Sequence, residues 1–186
     1  MKYLFAIFTL VAVVLLVSSC HRKAAAGKHT TDQPKAGAVE DSTGFAEQVP
    51  IDGVKDHGTL VLVIKRGPCY GKCPWYEAAF YDNGTVLYYG KKFVAHTGKY
   101  RLESTPEVVR SLLRKAREIG FMNMASEYPT DPNRKITDLP TTTIMVKFGR
   151  TAKTVKMTNE MPVELVEFGH DIDSVLERLP FPEQKN

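Results

Sequence analysis

The sequence has few of the residues and motifs from which catalytic or metal centres are built. Its three cysteines are Cys20, Cys69 and Cys73, and none of them forms the C-x-x-C spacing of a thiol oxidoreductase. The five histidines lack the H-x-x-x-H and H-E-x-x-H patterns of zinc enzymes. A G-x-S-x-G elbow, a Walker loop and a glycine-rich nucleotide turn are also absent. We therefore expect no catalytic residue, no cofactor and no metal ion, and a binding role is favoured over an enzymatic one.

A dense basic tract is missing as well. The 25 Lys and Arg residues exceed the 21 Asp and Glu residues only slightly, which gives a net charge of +4. Nucleic-acid-binding domains usually concentrate positive charge on one face or along one helix. We therefore exclude nucleic acid as a partner. The length of 186 residues and the 43% hydrophobic content fit one folded domain with some additional chain.

The longest apolar run, Tyr3 to Val17, is too short for a comfortable transmembrane helix and has the length of a signal-peptide core. It ends in Val17-Ser18-Ser19-Cys20, which resembles a bacterial lipobox. The resemblance implies that residues 1–19 are a lipoprotein signal peptide and that Cys20 becomes the lipidated, palmitate-bearing N-terminus. The alternative is an ordinary signal peptide or membrane anchor that happens to end in a cysteine.

A lipidated Cys20 would make the membrane the first partner of the protein, because two acyl chains anchor a protein stably. His21 occupies the position where an Asp tends to retain lipoproteins in the inner membrane. By resemblance, the protein is expected on the outer membrane of a bacterial cell envelope, facing the periplasm. Residues 20–57 show no sustained period of 2 or 3.6 and are predicted to be a lipid anchor and flexible tether. Residues 58–182 are predicted to fold without that tether.

The remaining sequence predicts an α+β domain, in which an antiparallel sheet of about six strands carries two helices on one face, in the order ββββαββα. Short β-branched and aromatic runs mark the strands, and 3.6-residue apolar stripes that begin after Thr105 and at Pro162 mark the helices. The predicted strands cover residues 59–65, 75–81, 85–90, 93–100, 141–148 and 151–158.

The pair Asn83-Gly84 predicts a two-residue type I′ hairpin that sets Tyr81 opposite Val86. This register places three aromatic residues on one face of the hairpin, where they could form a contact surface for an envelope protein or a small ligand. They are Trp75, Tyr81 and Tyr88.

Cys69 and Cys73 are predicted to form a disulfide, because a chain behind a signal peptide enters an oxidising compartment. A tight turn brings Cα atoms four residues apart to about 6 Å, which a disulfide accepts. The alternative is a thiol-redox or copper-binding pair assisted by His170, since thiolates favour Cu(I). A thioredoxin-like site needs a helix directly after the second cysteine, whereas Pro74-Trp75-Tyr76 begins a strand.

The segment Pro68-Cys69-Tyr70-Gly71-Lys72-Cys73-Pro74-Trp75-Tyr76 resembles the P-C-Y-G-x-C-P-x-Y signature of a bacterial family of extracytoplasmic, often lipid-anchored proteins. That family is known only as a domain of unknown function, and the resemblance covers about residues 60–175. It implies location and fold but no activity. Arg66, just before this segment, and Tyr70, within it, complete the set of candidate binding residues.

Overall fold

Seven strands and two helices form within residues 58–182, the part of the chain that the computed structural model describes. The predicted signal peptide, Cys20 and the predicted tether lie outside the described residues. The elements, in chain order, are β1 (Leu60–Arg66), β2 (Trp75–Tyr81), β3 (Thr85–Lys92), β4 (Gly98–Glu103), α1 (Pro106–Glu118), β5 (Glu127–Tyr128), β6 (Thr142–Phe148), β7 (Thr151–Met157) and α2 (Val163–Glu177).

The strands form one sheet in the order β4-β3-β2-β1-β6-β7-β5. All neighbours pair antiparallel except β5, which pairs parallel to β7, so the sheet is mixed. The α+β class and the approximate strand count are confirmed, whereas an entirely antiparallel sheet is wrong. β5 is two residues long, which is too short to produce an alternating pattern in the sequence.

Both helices pack on the same face of the sheet, as predicted. Their apolar stripes and the inward side chains of the strands form the main core. Its largest members are completely buried, and Phe121 and Phe168 meet edge to face with ring centroids 5.9 Å apart. Each such side chain contributes about 1.5–3 kcal/mol through removal from water. The core therefore fixes α2 against the centre of the sheet.

Helix α1 begins at the predicted place. Thr105 is its N-cap, and the Thr105 Oγ1 atom accepts a hydrogen bond from the Val108 N–H at 3.4 Å. Pro106 follows as the first helical residue, where its missing N–H costs nothing. Gly120, with a φ of +65°, takes the left-handed conformation just after the helix and ends it.

The hairpin register differs by one residue from the sequence prediction. Asp82, Asn83 and Gly84 form a three-residue loop, in which the Gly84 N–H donates to the Tyr81 carbonyl at 3.0 Å and Gly84 has a φ of +95°. Asp82 is removed from the strand pairing because its carboxylate accepts the Thr59 N–H at 2.8 Å. The cross-strand partners are consequently Phe80 with Val86, Ala79 with Leu87 and Ala78 with Tyr88.

This one-residue shift turns every side chain of β3 to the opposite face. Tyr88 therefore lies on the helix side of the sheet, and Tyr81 lies on the other side. The aromatic face that was expected to combine these two residues with Trp75 does not exist as one surface.

Residues 93–97, called the cavity loop below, replace the first part of the strand predicted at 93–100. The loop folds back against β3 at Gly90, where a Cβ atom would lie 1.9 Å from the His96 carbonyl oxygen. Only glycine allows this approach. The pairing resumes at Gly98, directly opposite Gly90.

Candidate functional site

A cavity of about 550 Å³ lies between α2, the cavity loop and the end of the sheet where β1 and β2 meet. One wall is polar and is formed by Arg66, Tyr76, Thr142, His170 and Asp173. The adjoining wall is mostly apolar and meets the polar wall where the Tyr88 ring stacks on the Tyr76 ring, with centroids 5.5 Å apart. It includes Tyr88, Phe93, Val94, Leu176 and Phe181. Small-molecule sites typically combine this range of volume with an apolar lining and a few convergent polar groups.

Three side chains from three elements meet in the polar wall. Arg66 ends β1, Tyr76 lies near the start of β2, and the two residues are direct cross-strand partners. The Arg66 Nη2 atom donates to the Asp173 Oδ2 atom at 2.6 Å, and the Tyr76 hydroxyl donates to the Asp173 Oδ1 atom. The Arg66 Nη1 atom also donates to the Thr142 Oγ1 atom at 3.0 Å. Both oxygens of the carboxylate are therefore engaged from the sheet side.

Gly169 lets the guanidinium group of Arg66 lie against α2. A Cβ atom at position 169 would sit 3.1 Å from the Arg66 Nη2 atom, closer than ordinary van der Waals contact. A buried glycine inside a helix costs stability relative to alanine, so its position here has a packing reason.

Arg66 and Tyr76 in the polar wall keep their protonation states near neutral pH. Burial, followed by the charge of Asp173, raises the pKa of Tyr76 far above its ordinary value, so the phenol stays a neutral donor. Burial alone would lower the pKa of Arg66, but the charges and hydrogen bonds of Asp173 and Tyr76 together outweigh it, and the pKa of Arg66 is raised. Arg66 therefore provides a permanent positive charge and Tyr76 a permanent hydrogen-bond donor.

His170 lies at the rim of this wall, one turn before Asp173 on α2. Its Nδ1 atom is 3.8 Å from the Asp173 Oδ2 atom, and 71% of its side chain is exposed. It is thus an imidazole that both solvent and a molecule in the cavity can reach.

The apolar wall is a cluster of aromatic rings around Phe181, a residue that follows α2. The Phe181 ring stacks in parallel on His96 with centroids 3.9 Å apart and meets the edges of Tyr88 and Tyr100, each at 5.2 Å. Burial, with a smaller effect of Tyr100, raises the pKa of Tyr88 to about 12. This wall offers ring faces and edges to an apolar group.

Phe93 stands at the mouth of the cavity in a strained backbone conformation. Its φ is +55°, a region that bulky residues rarely adopt, and its side chain is 50% exposed. Such a conformation costs on the order of 1–3 kcal/mol and tends to occur at binding or catalytic sites. A half-exposed aromatic ring therefore lines the cavity from a strained backbone position.

A disulfide joins Cys69 to Cys73, with Cα atoms 5.8 Å apart, as the sequence predicted. It closes the turn inside residues 67–74, called the disulfide loop below, which connects Arg66 to the end of β2 that carries Tyr76. The Gly67 N–H anchors the loop to the Thr141 carbonyl at 2.8 Å. Cys73 itself lines the cavity. Among residues 58–182, no three His, Cys, Asp or Glu side chains converge in a way that could hold a metal ion.

The five sequence-predicted binding residues are divided by the structure. Arg66 and Tyr88 lie in the cavity wall. Tyr70 is 95% exposed at the tip of the disulfide loop. Trp75 and Tyr81 lie on the opposite face of the sheet, where the Lys91 Nζ atom is 5.2 Å from the centroid of the Trp75 ring and Tyr81 is buried.

The sequence predicted no binding role for Asp173 or for Tyr76, although Tyr76 is the last residue of the P-C-Y-G-x-C-P-x-Y segment. The hydrogen bond between Tyr76 and Asp173 joins residues 97 positions apart in sequence, and no local sequence pattern predicts it. The isolated Gly169 inside α2 was an available signal, because a single glycine within a helix indicates a close approach by another group.

These features define a small α+β domain with a polar and aromatic cavity between its sheet and its last helix. The chain belongs to the family described as domain of unknown function DUF6438, whose profile matches residues 60–176. The match includes Arg66, Tyr76 and Asp173. A comparison with the curated proteins found no match. Within residues 58–182, neither helix has the length and apolarity that a membrane span requires.

Proposed function

We propose that this protein is a membrane-anchored, extracytoplasmic binding protein that holds a small molecule in the cavity between α2, the cavity loop and the sheet. The observation that carries the proposal is the meeting, in one cavity, of a polar wall centred on the Arg66–Asp173 pair and an aromatic wall that adjoins it where Tyr76 stacks on Tyr88. A cavity of about 550 Å³ accommodates a molecule of metabolite size. We infer a non-catalytic role because the Asp173 carboxylate is occupied by two donors and Tyr76 retains its proton.

The two walls indicate an amphipathic ligand. An apolar or aromatic body fits against Tyr88 and Phe181. A hydrogen-bond acceptor, such as a carboxylate or carbonyl group, fits the polar end, since Arg66 has five N–H groups and its bonds to Thr142 and Asp173 occupy two of them. His170 at the rim supplies a further donor. Phe93 then covers the entrance.

The location is proposed from the N-terminal sequence. The Val17-Ser18-Ser19-Cys20 segment supports processing to a lipidated Cys20, and His21 supports outer-membrane sorting with the domain in the periplasm. Labelled palmitate should enter the protein and should be lost in Cys20→Ala. Incorporation that persists in this variant would reject the lipid anchor without affecting the cavity.

Native mass spectrometry of the protein isolated from its own cell envelope tests the binding role. The wild-type chain should carry a small molecule that Val94→Trp, which fills the cavity, does not retain. Val163→Trp is the matched control, because Val163 is 62% exposed on α2 and does not line the cavity. Equal retention by all three proteins, or by none, would count against a ligand in this cavity.

A thiol-redox or copper-binding role is the second candidate, since Cys73 and His170 line the same cavity. Thiol titration of the native protein distinguishes the two. A structural disulfide leaves no free thiol, and the reduced protein should not take up Cu(I) stoichiometrically. Tight Cu(I) uptake that requires Cys69, Cys73 and His170 would favour the second candidate.

A further inference from the structure

Both helices of residues 58–182 pack on one face of the sheet. The other face, which carries no helix of this part of the chain, is called the open face below. The centre of the open face is nevertheless buried from solvent. Four apolar side chains at its centre are almost completely buried, with exposures of 0–4%; they are Val63, Ala79, Leu87 and Met145. The apolar side chains that pack with them belong to the same strands and are Leu60, Tyr81 and Tyr89. Small and aliphatic side chains on one side of a sheet normally remain in contact with water unless another layer covers them.

The open face is also positively charged around this apolar centre. The strand register places six basic and three acidic side chains on it, which gives a local excess of three positive charges. The basic residues are Lys65, Lys91, Lys99, Arg101, Lys147 and Lys156, and the acidic residues are Glu77, Glu103 and Glu127. A covering segment should therefore be apolar and acidic.

Residues 39–57, which directly precede the described domain, have this composition. They contain five acidic residues against one lysine, for a net charge of −4 without histidine. Their larger apolar residues are Val39, Phe45, Val49, Ile51 and Val54. By contrast, residues 21–38 contain four basic residues and one acidic residue, and alanine is their only aliphatic residue.

We propose that residues 39–57 pack on the open face as a second layer and that only residues 20–38 act as the tether. The segment enters at the right place, because Thr59 is hydrogen-bonded to Asp82 at the end of the sheet next to Tyr81. Nineteen extended residues reach about 60 Å, whereas seven strands span about 30 Å. A segment of the same chain has an effective concentration in the millimolar range near the open face. A second copy of the protein reaches that value only in a concentrated solution, so the segment of the same chain is favoured as the covering layer.

Hydroxyl-radical footprinting of the full-length chain, as the cell produces it, tests the proposal. Met145 reports on the open face, and Met157, which is equally buried on the helix side, reports on the integrity of the fold. The triple variant Phe45→Ala, Val49→Ala, Ile51→Ala should increase Met145 oxidation several-fold and leave Met157 unchanged. The matched control in the tether, Thr30→Ala, Thr31→Ala, Gln33→Ala, should change neither.

If Met145 stays protected from oxidation in the triple variant, the proposal is overturned. It is also overturned if Met145 protection in the wild-type protein disappears on dilution, because a second copy of the chain would then be the covering layer. If the triple variant also exposes Met157, the milder pair Glu47→Gln, Asp52→Asn replaces it. That pair should raise Met145 oxidation and leave Met157 oxidation unchanged, because it removes negative charge without removing apolar area. If Met145 oxidation does not change in this pair, the charge complementarity on which the docking rests is rejected.

Discussion

Arg66 and Asp173 form an ion pair with a 2.6 Å separation between the Nη2 and Oδ2 atoms, across 107 positions of sequence. Each side chain keeps only about a quarter of its surface exposed. The pair connects the end of β1 to the middle of α2, and Tyr76 joins it from β2. It therefore holds the disulfide loop, the sheet and the last helix in one arrangement around the cavity.

The first prediction concerns the energetic coupling of this pair. Asp173→Ala should lower the free energy of unfolding by about 2–4 kcal/mol, because it leaves a partly buried guanidinium group without its counter-charge. The double variant with Arg66→Ala should lose less than the sum of the two single changes. Urea unfolding of the four proteins gives the coupling energy directly.

Arg110 and Glu107 on α1 provide the matched control, since both side chains are more than half exposed. Their coupling energy should be below about 1 kcal/mol. A coupling between Arg66 and Asp173 no larger than this control value would show that the pair does not organise the site.

The second prediction separates steric contact from helix propensity at Gly169. Alanine normally stabilises a helix interior by about 1 kcal/mol relative to glycine. Gly169→Ala should nevertheless destabilise the wild-type protein, because its Cβ atom would lie 3.1 Å from the Arg66 Nη2 atom. In an Arg66→Ala background the same change should become neutral or stabilising. The same destabilisation in both backgrounds would place the obstacle elsewhere.

The third prediction is a pH dependence that originates at Tyr76. The pKa of this phenol is raised in the folded protein from an ordinary value of 10.0, so its contribution to stability is complete below pH 10. Above that pH only the unfolded chain releases the proton, and stability should fall by up to about 1.4 kcal/mol per pH unit.

Tyr76→Phe should therefore be less stable than wild type near pH 8, through loss of the hydrogen bond to Asp173, by about 1–2 kcal/mol. The difference should shrink as the pH rises past 10, because the variant has no proton to hold at this position. Burial also raises the pKa values of Tyr81 and Tyr88, but both residues are present in both proteins and their effects cancel. Parallel stability curves from pH 8 to 11 would contradict this prediction.

The sequence predicted the elements that depend on local chemistry. Thr105, after which a helical stripe begins, is the N-cap of α1, and Pro162, where the second stripe begins, directly precedes α2. The hairpin register was missed because Asp82 is part of the loop and its carboxylate is hydrogen-bonded to the Thr59 N–H, 23 positions away in sequence. The polar wall was missed for the same reason, since the partners of Asp173 become neighbours only after the sheet has formed.

The fourth prediction concerns the disulfide between Cys69 and Cys73. The loop it closes is very short, so the chain-entropy estimate of its contribution is about 2 kcal/mol. The double change Cys69→Ser, Cys73→Ser should cost about that amount and leave the far-UV spectrum unchanged. Hydrogen exchange should accelerate in residues 67–74. Loss of the cooperative unfolding transition would instead assign the disulfide a role in the whole fold.

The last prediction addresses the wall that the cavity loop provides. At Gly90, a Cβ atom would lie 1.9 Å from the His96 carbonyl oxygen and 2.9 Å from the Tyr88 ring. Gly90→Ala should therefore push the loop away from β3 and separate His96 from Phe181, at a cost of about 1–3 kcal/mol. Hydrogen exchange should rise in residues 91–97, and ligand retention in native mass spectrometry should fall.

Gly149→Ala is the control for this variant, because a Cβ atom there meets nothing within 4 Å and only the φ of +58° opposes it. It should cost about 1 kcal/mol through the backbone alone and leave ligand retention intact. Gly90→Ala should change both the stability of the fold and the shape of the cavity, because position 90 lies beside the cavity loop. Gly149→Ala should change stability alone, so comparing the two variants separates these effects. Equal ligand loss in both variants would mean that retention follows global stability and that the cavity loop does not form a wall of the binding site.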